Sequence, residues 1–106
     1  MPVSTPIPSS FTLAYLGDAC YELWCRKLVL SRINNRGRVH RNVVQLVCCR
    51  SQSFLVGVLL PLLNDLEMKV YLKGRNSRPH SVPSYAKVGE YRKATGFECL
   101  VGFWFL

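Results

Sequence analysis

Two of the six acidic residues in this chain stand out by their surroundings. Asp18 and Glu98 each lie in a strongly apolar stretch, with a glycine within one helical turn. Two carboxylates on two helices can share a divalent metal, because Mg²⁺ is commonly held by one or two carboxylates while water or phosphate oxygens complete its shell. An acid in an apolar helix is more often paired with a basic residue than catalytic, so spacing alone leaves that alternative open.

The other four acidic residues have ordinary structural explanations. Asp65 and Glu67 fall in the first turn of a predicted helix, where negative charge complements the helix dipole. Glu22 is placed to form an i,i+4 ion pair with Arg26, but it also follows the first of the two acids by one turn, where it would support the water shell of a metal. Glu90 is expected to be solvated.

The remaining reactive side chains do not indicate a different chemistry. Neither histidine stands at a catalytic spacing from a cysteine, serine or carboxylate. The five cysteines contain no C-x-x-C pair, and their odd number is a poor basis for a disulfide framework or a zinc site. We expect them to be small buried residues in a reducing compartment. No glycine-rich loop follows a strand, so nothing indicates nucleotide binding.

A basic segment in the second half of the chain is the clearest candidate for binding a polyanion. The formal net charge is +8, and a small basic domain most often faces nucleic acid. A run of charges is usually a solvated surface, but this one carries prolines that hold a loop in shape. The pattern therefore predicts phosphate contacts from Lys73, Arg75, Asn76, Arg78 and His80.

The elements that must position these residues are predicted to be helices, which makes the fold all-α. Residues 1–10 form an extended lead-in and residues 11–106 a single domain, because 106 residues support one core. The predicted helices run from about 10 to 30, 39 to 60, 64 to a stop at Gly74, and 85 to 106. Ser9 or Ser10 caps the first helix, and Asn64 with Glu67 forms a capping box on the third.

The predicted core rests on two apolar stripes at helical spacing. The first helix contributes Leu13, Leu16, Cys20, Leu23 and Leu30, widened by Trp24 and Leu28. The second helix contributes Val39, Val43, Leu46, Val47 and Phe54. The longest apolar run, residues 54–63, is shorter than the roughly 20 apolar residues of a membrane-spanning helix. No secretory signal is recognisable near the N-terminus.

Three segments of the sequence resemble motifs of one enzyme family. Residues 13–22, LAYLGDACYE, resemble the first acidic motif of ribonuclease III domains, and residues 91–102, YRKATGFECLVG, resemble the second. Residues 73–76, KGRN, followed by Arg78, His80, Ser81 and Pro83, are similar to the basic loop of the Mini-ribonuclease III branch, which has no separate double-stranded-RNA-binding domain. The three motifs occur in the correct order and span almost the whole chain, so the resemblance is specific.

The resemblance implies a Mg²⁺-dependent endoribonuclease that cleaves double-stranded RNA, acts as a homodimer and matures the precursor of 23S ribosomal RNA of the large subunit. It assigns catalysis and metal binding to Asp18 and Glu98. Larger family members carry two further acids, at positions that are Ala14 and Thr95 here, as in the small branch. Family members continue for at least one more helix beyond the point that corresponds to Leu106, so we expect the domain to lack its C-terminal helix.

The main alternative is a non-catalytic RNA-binding relative attached to a ribosomal particle, which would keep the basic surface and lose hydrolysis. The two retained acids favour the enzyme, whereas the apolar end of the chain favours the relative. A basic membrane-surface protein ranks last, because no helix sets a basic face against a bulky apolar one. We expect a cytoplasmic or plastid location and no membrane partner.

Overall fold

The computed structural model describes residues 6–77 and 87–106, and every regular element within these ranges is helical. The all-α prediction is therefore confirmed. The elements in chain order are α1 (Ser10–Leu30), α2 (Arg36–Val47), α3 (Cys49–Leu59), a 3₁₀ turn (Leu60–Leu62), α4 (Asp65–Arg75) and α5 (Val88–Phe105). The last helix, α5, is central to the packing, because it contacts α1, α3 and α4.

The predicted caps form at the starts of α1 and α4. The side chain of Ser9 accepts a hydrogen bond from the backbone N–H of Thr12 at 3.2 Å. At α4, the Asn64 side chain accepts from the Glu67 N–H at 2.8 Å, and the Glu67 carboxylate accepts from the Asn64 N–H at 2.9 Å. Both caps satisfy N–H groups that have no partner within the helix, which is why such short-range signals are reliable.

The prediction of one helix from 39 to 60 is wrong, because the chain breaks at Cys48. This residue has extended backbone angles, φ −67° and ψ 154°, and separates α2 from α3. The first of the two begins earlier than predicted, at Arg36, because Asn35 caps it. Within the described residues no single helix is long and apolar enough to cross a membrane; only α2 together with Cys49–Leu62, a pair bent by 54°, passes by length and composition.

Side chains compensate the carbonyl groups that the break at Cys48 leaves without helical partners. The hydroxyl of Tyr21 donates to the Leu46 carbonyl at 3.0 Å, and the amide nitrogen of Gln52 donates to the Val47 carbonyl at 2.8 Å. The hydroxyl of Ser51 donates to the Gln45 carbonyl. The end of α2 is thus stabilised by donors from α1 and α3.

The predicted apolar stripe of α1 is correct at Leu13 but wrong for most of its other residues. The buried residues are Leu13, Gly17, Tyr21, Cys25 and Val29, whereas the exposed ones include Leu16, Leu23, Trp24 and Leu30. In the second stripe Val43 is buried, but Phe54 is exposed. Apolar residues occupy more than one face of α1, so periodicity alone could not select the face on which α5 packs.

Glycines bring the backbones of α1 and α5 into direct contact. A Cβ atom on Gly17 would overlap the Glu98 carbonyl, and a Cβ atom on Gly102 would overlap the Leu13 carbonyl. Only a residue without a side chain permits this approach. The contact fixes the register between the two helices that carry the two acidic motifs.

A second glycine contact joins α4 to α5 and corrects the predicted stop at Gly74. The helix continues to Arg75, with Asn76 as its C-cap, and Gly74 is buried against α5. A Cβ atom on Gly74 would lie 2.6 Å from the Cys99 sulfur and 3.1 Å from the Gly96 Cα. Gly74 therefore serves close packing instead of helix termination.

The five cysteines are all free thiols, as expected. Cys25 and Cys99 are completely buried, in agreement with the prediction of small core residues. The other three, Cys20, Cys48 and Cys49, are only partly buried. Burial raises the pKa of the Cys99 thiol to about 11, so this group is a neutral core residue at physiological pH.

Candidate active site

Asp18 on α1 and Glu98 on α5 line the same open cavity of about 560 Å³. The glycine contact explains their proximity, because Gly17 immediately precedes Asp18 and meets the backbone of Glu98. The two acids are far apart in the sequence, and the α1–α5 register brings their carboxylates to one place.

The two carboxylates differ in exposure and influence each other. Asp18 is exposed, whereas Glu98 is half-buried. Burial, a hydrogen bond to Asp18 and the negative charge of Asp18 together raise the pKa of Glu98 from 4.5 to about 8, and a hydrogen bond from Gln52 opposes the rise. A positive ion beside the pair would favour the ionised form of Glu98, because an opposite charge lowers the pKa of a carboxyl.

The donor set of this cavity suits a hard divalent cation. Within residues 6–77 and 87–106 no group of three or more His, Cys, Asp and Glu side chains is arranged to hold a metal ion, so the protein ligands would be the carboxylate pair. Mg²⁺ usually keeps several waters and takes one or two carboxylates. Asp18 and Glu98, facing an open cavity with room for water and phosphate, fit this pattern.

Glu22 lies at the same cavity and also forms the predicted ion pair. Its carboxylate accepts a hydrogen bond from the Arg26 guanidinium at 2.5 Å, at the i,i+4 spacing. Glu22 lines the cavity while it is paired with Arg26. The geometry is therefore compatible both with a purely structural ion pair and with support of a metal's water shell.

The two positions at which larger relatives carry further acids do not supply ligands here. Ala14 lies on the cavity wall without a polar group. The hydroxyl of Thr95 donates to the Tyr91 carbonyl on its own helix at 3.0 Å. The site is therefore built on two principal acids.

An aromatic pair at this cavity escaped the sequence analysis. Phe11 and Tyr15 line the cavity, and their rings meet edge to face with centroids 5.9 Å apart. Both side chains are exposed, at 71% and 65%. The spacing of the two residues could have revealed them, because both precede Asp18 at helical intervals on the same face of α1.

Gln52 on α3 is a third residue that the sequence analysis missed. It lines a smaller cavity of about 290 Å³ together with Glu98. Gln52 stands on the buried face of α3, four residues before Val56. A polar residue among buried apolar ones could have pointed to Gln52. The prediction of one continuous helix from 39 to 60, however, placed the wrong residues on the buried face after Cys48.

The basic residues predicted to bind phosphate are only partly within the described ranges. Lys73 and Asn76 are exposed at the end of α4. Arg75 is half-buried, with its guanidinium 6.0 Å from the centroid of the Tyr71 ring and its Nε donating to the Asn76 side chain at 3.2 Å. Arg78 and His80 lie outside the described residues.

Comparison with known proteins decides the family. The profile of the Ribonuclease III domain matches residues 12–106. The Mini-ribonuclease 3 of Symbiobacterium thermophilum is 41% identical over 96 residues, which cover 90% of this chain and 74% of that protein. This chain belongs to the Mini-ribonuclease 3 branch of the ribonuclease III domain family. The relationship inferred from the two acidic motifs and the basic loop is thereby confirmed.

Other members of the family agree in sequence and in fold. The Mini-ribonuclease 3 of Clostridium tetani is 34% identical over 89% of this chain, and the chain spans 64% of its length. The Mini-ribonuclease 3 of Desulfitobacterium hafniense is 41% identical over 98% of this chain, and this chain spans 66% of that protein. The crystal structure of a Fusobacterium nucleatum protein superposes with a TM-score of 0.86 at 29% identity, over 92% of this chain and 75% of that one.

Proposed function

We propose that this chain is a Mg²⁺-dependent endoribonuclease that hydrolyses double-stranded RNA and leaves 5′-phosphate and 3′-hydroxyl ends. The observation that carries the proposal is the convergence of Asp18 and Glu98 on one open cavity, in a chain of the ribonuclease III domain family. The similar proteins named Mini-ribonuclease 3 support a ribonuclease activity.

The chain's own residues have distinct roles in this proposal. Asp18 presents an exposed carboxylate, and Glu98 presents a half-buried one on the inner wall of the same cavity. Asp18 and Glu98 would hold Mg²⁺, which would supply a bound water of lowered pKa and positive charge to offset the negative charge of the scissile phosphate. Glu22 adds a further carboxyl group to the cavity wall, and its ion pair with Arg26 holds it in place.

The proposed substrate is an RNA duplex recognised by its shape. An A-form helix hides its base edges in a deep, narrow groove, so a compact protein reads backbone phosphates and 2′-hydroxyl groups. Lys73, Arg75 and Asn76 are placed together at the end of α4, and Arg78 and His80 complete the proposed basic set. We propose that the natural duplex is the precursor of 23S ribosomal RNA, in a bacterial cytoplasm or a plastid.

An apolar groove supports the proposed homodimer. It encloses about 520 Å³ between α1, α3 and α5, and its lining includes Trp24, Val58 and Phe105, which are 57%, 57% and 63% exposed. An exposed apolar surface of this kind is typical of protein interfaces. A second copy on this groove would place two cavities along one duplex, one for each strand.

A nuclease assay tests the proposal directly. A labelled RNA duplex is incubated with the protein and Mg²⁺, then with excess chelator, beside single-stranded RNA and duplex DNA of the same sequence. We expect cleavage of duplex RNA alone, abolished by the chelator. Tight duplex binding without cleavage would instead identify the non-catalytic RNA-binding relative.

A further inference from the structure

Gln52 is the one polar side chain that is fully buried within residues 6–77 and 87–106, with 2% exposure. It stands on α3, packs against the core helix α5 and lies at the same small cavity as Glu98. Burying an amide is unfavourable unless its groups are hydrogen-bonded. Its contacts therefore indicate what the residue does.

The amide of Gln52 has contacts in two directions. Its nitrogen donates one hydrogen to the Val47 carbonyl at 2.8 Å. The side chain also shares the small cavity with the Glu98 carboxyl and acts on that carboxyl as a hydrogen-bond donor, which lowers its pKa. An amide nitrogen carries two hydrogens, so one group can serve both acceptors at once.

The hydrogen bond to the end of α2 does not by itself explain why the Gln52 amide is buried. The oxygen of this amide is buried and has no hydrogen-bond partner among the described residues, and a buried acceptor without a partner is destabilising. A donor to the Val47 carbonyl does not need a buried amide, since the neighbouring Ser51 caps the preceding turn with a hydroxyl. A second acceptor, on Glu98, gives the amide a reason to be buried at this position.

We propose that Gln52 is the positioning residue of Glu98: anchored to the end of α2 through Val47, it holds the Glu98 carboxylate toward Asp18 and the open cavity. The inference rests on the proposed function, because the orientation of Glu98 matters only if that carboxylate takes part in the reaction. Carboxylates that bind metals are themselves usually hydrogen-bonded by such outer residues, and their loss reduces activity or metal affinity roughly 10–100-fold.

The test compares Gln52→Met with Val56→Ala. Gln52→Met preserves length and burial and removes both N–H groups, whereas Val56→Ala weakens the same buried face of α3 one turn away. At a temperature where both variants are folded by circular dichroism, we expect Gln52→Met to lower kcat for duplex cleavage roughly 10–100-fold. KM should not change, and Val56→Ala should keep the wild-type kcat. Gln52→Asn, which keeps an amide one methylene too short, should show the same loss and replaces Gln52→Met if that variant does not fold.

A binding measurement without RNA separates this inference from the proposed function. Mn²⁺, used as a spectroscopic probe, is titrated into each variant and the free ion is followed by electron paramagnetic resonance. We expect Gln52→Met to bind Mn²⁺ roughly 10–100-fold more weakly than the wild type and Val56→Ala to bind it equally well. Wild-type kcat and Mn²⁺ affinity in a folded Gln52 variant would overturn the inference, as would equal losses in Val56→Ala. If the wild type cleaves no RNA, the proposed function fails, while the Mn²⁺ titration still decides the role of Gln52.

Discussion

Gly17 and the backbone of Glu98 are in direct contact, and a single Cβ atom on Gly17 would overlap the Glu98 carbonyl oxygen. The residue next to this glycine is Asp18, so the contact that packs α1 on α5 also aligns the two acids. Core packing and the geometry of the candidate active site therefore depend on the same few atoms.

Gly17→Ala should destabilise the protein, because two helix backbones would have to separate. Overpacking of a core usually costs about 1–3 kcal/mol and occasionally more. Gly57→Ala is the matched control, since a Cβ atom there meets nothing within 4 Å on an exposed part of α3, and alanine should stabilise that helix by up to about 1 kcal/mol. Urea unfolding measures both free energies, and a neutral Gly17→Ala would contradict the tight contact.

Asp18→Asn should abolish cleavage of duplex RNA and leave duplex binding largely intact. The amide has nearly the same shape as the carboxylate but lacks the charge needed to hold a divalent cation. Asp65→Asn, in the exposed first turn of α4, is the control for removal of one negative charge. Cleavage rates and filter-binding affinities measure the two effects separately. Wild-type cleavage by Asp18→Asn would show that the wrong acid has been assigned.

Local chemistry in the sequence was sufficient for the parts of the fold that depend on neighbouring residues. Ser9 and the Asn64–Glu67 pair were predictable because a cap is decided within one turn of helix. The pairing of Asp18 with Glu98 followed from their shared setting and the family resemblance.

The features that sequence reasoning missed depend on tertiary contacts. The break at Cys48 is stabilised by a hydroxyl from Tyr21 on another helix, which no local pattern reveals. That break changed the phase of α3 and concealed Gln52. The buried face of α1 was missed for a similar reason. It is set by Gly17, which has no side chain and therefore lets the backbone of α5 approach closely.

The metal-free protein should lose stability as the pH rises from about 4.5 to about 8. The folded state holds Glu98 with a pKa of about 8, above its ordinary 4.5, so between these values it binds more protons than the unfolded state. The free energy of unfolding therefore falls with rising pH in this range and levels off above it. Thermal melts in chelator should show this trend for the wild type relative to Glu98→Gln, and Mg²⁺ at pH 8 should restore the wild type only. If the melting temperatures of the two proteins changed with pH in the same way, Glu98 would not have a raised pKa in the folded state.

Arg75→Ala should weaken binding to all RNA duplexes alike and reduce the slope of log affinity against log salt by about one. Each phosphate contact releases counterions regardless of base sequence, which gives the salt dependence. Lys27→Ala, on the last turn of α1, removes one exposed positive charge elsewhere and serves as the control. Fluorescence anisotropy across a salt series measures both quantities. Unchanged affinity and slope would mean that Arg75 only packs on Tyr71 and Asn76.

Trp24→Glu should convert a dimer into a monomer. Trp24 lines the apolar groove and stacks on Tyr21 with ring centroids 6.2 Å apart. In a dimer formed through the groove, a negative charge at this position would be buried without a partner. Phe54→Glu is the control, because Phe54 is exposed at 72% on α3 but does not line the groove. Sedimentation velocity should show dimers for the wild type and Phe54→Glu, and monomers for Trp24→Glu. A wild-type monomer would contradict the homodimer, whereas a dimer that survives Trp24→Glu would place its interface on another face of the molecule.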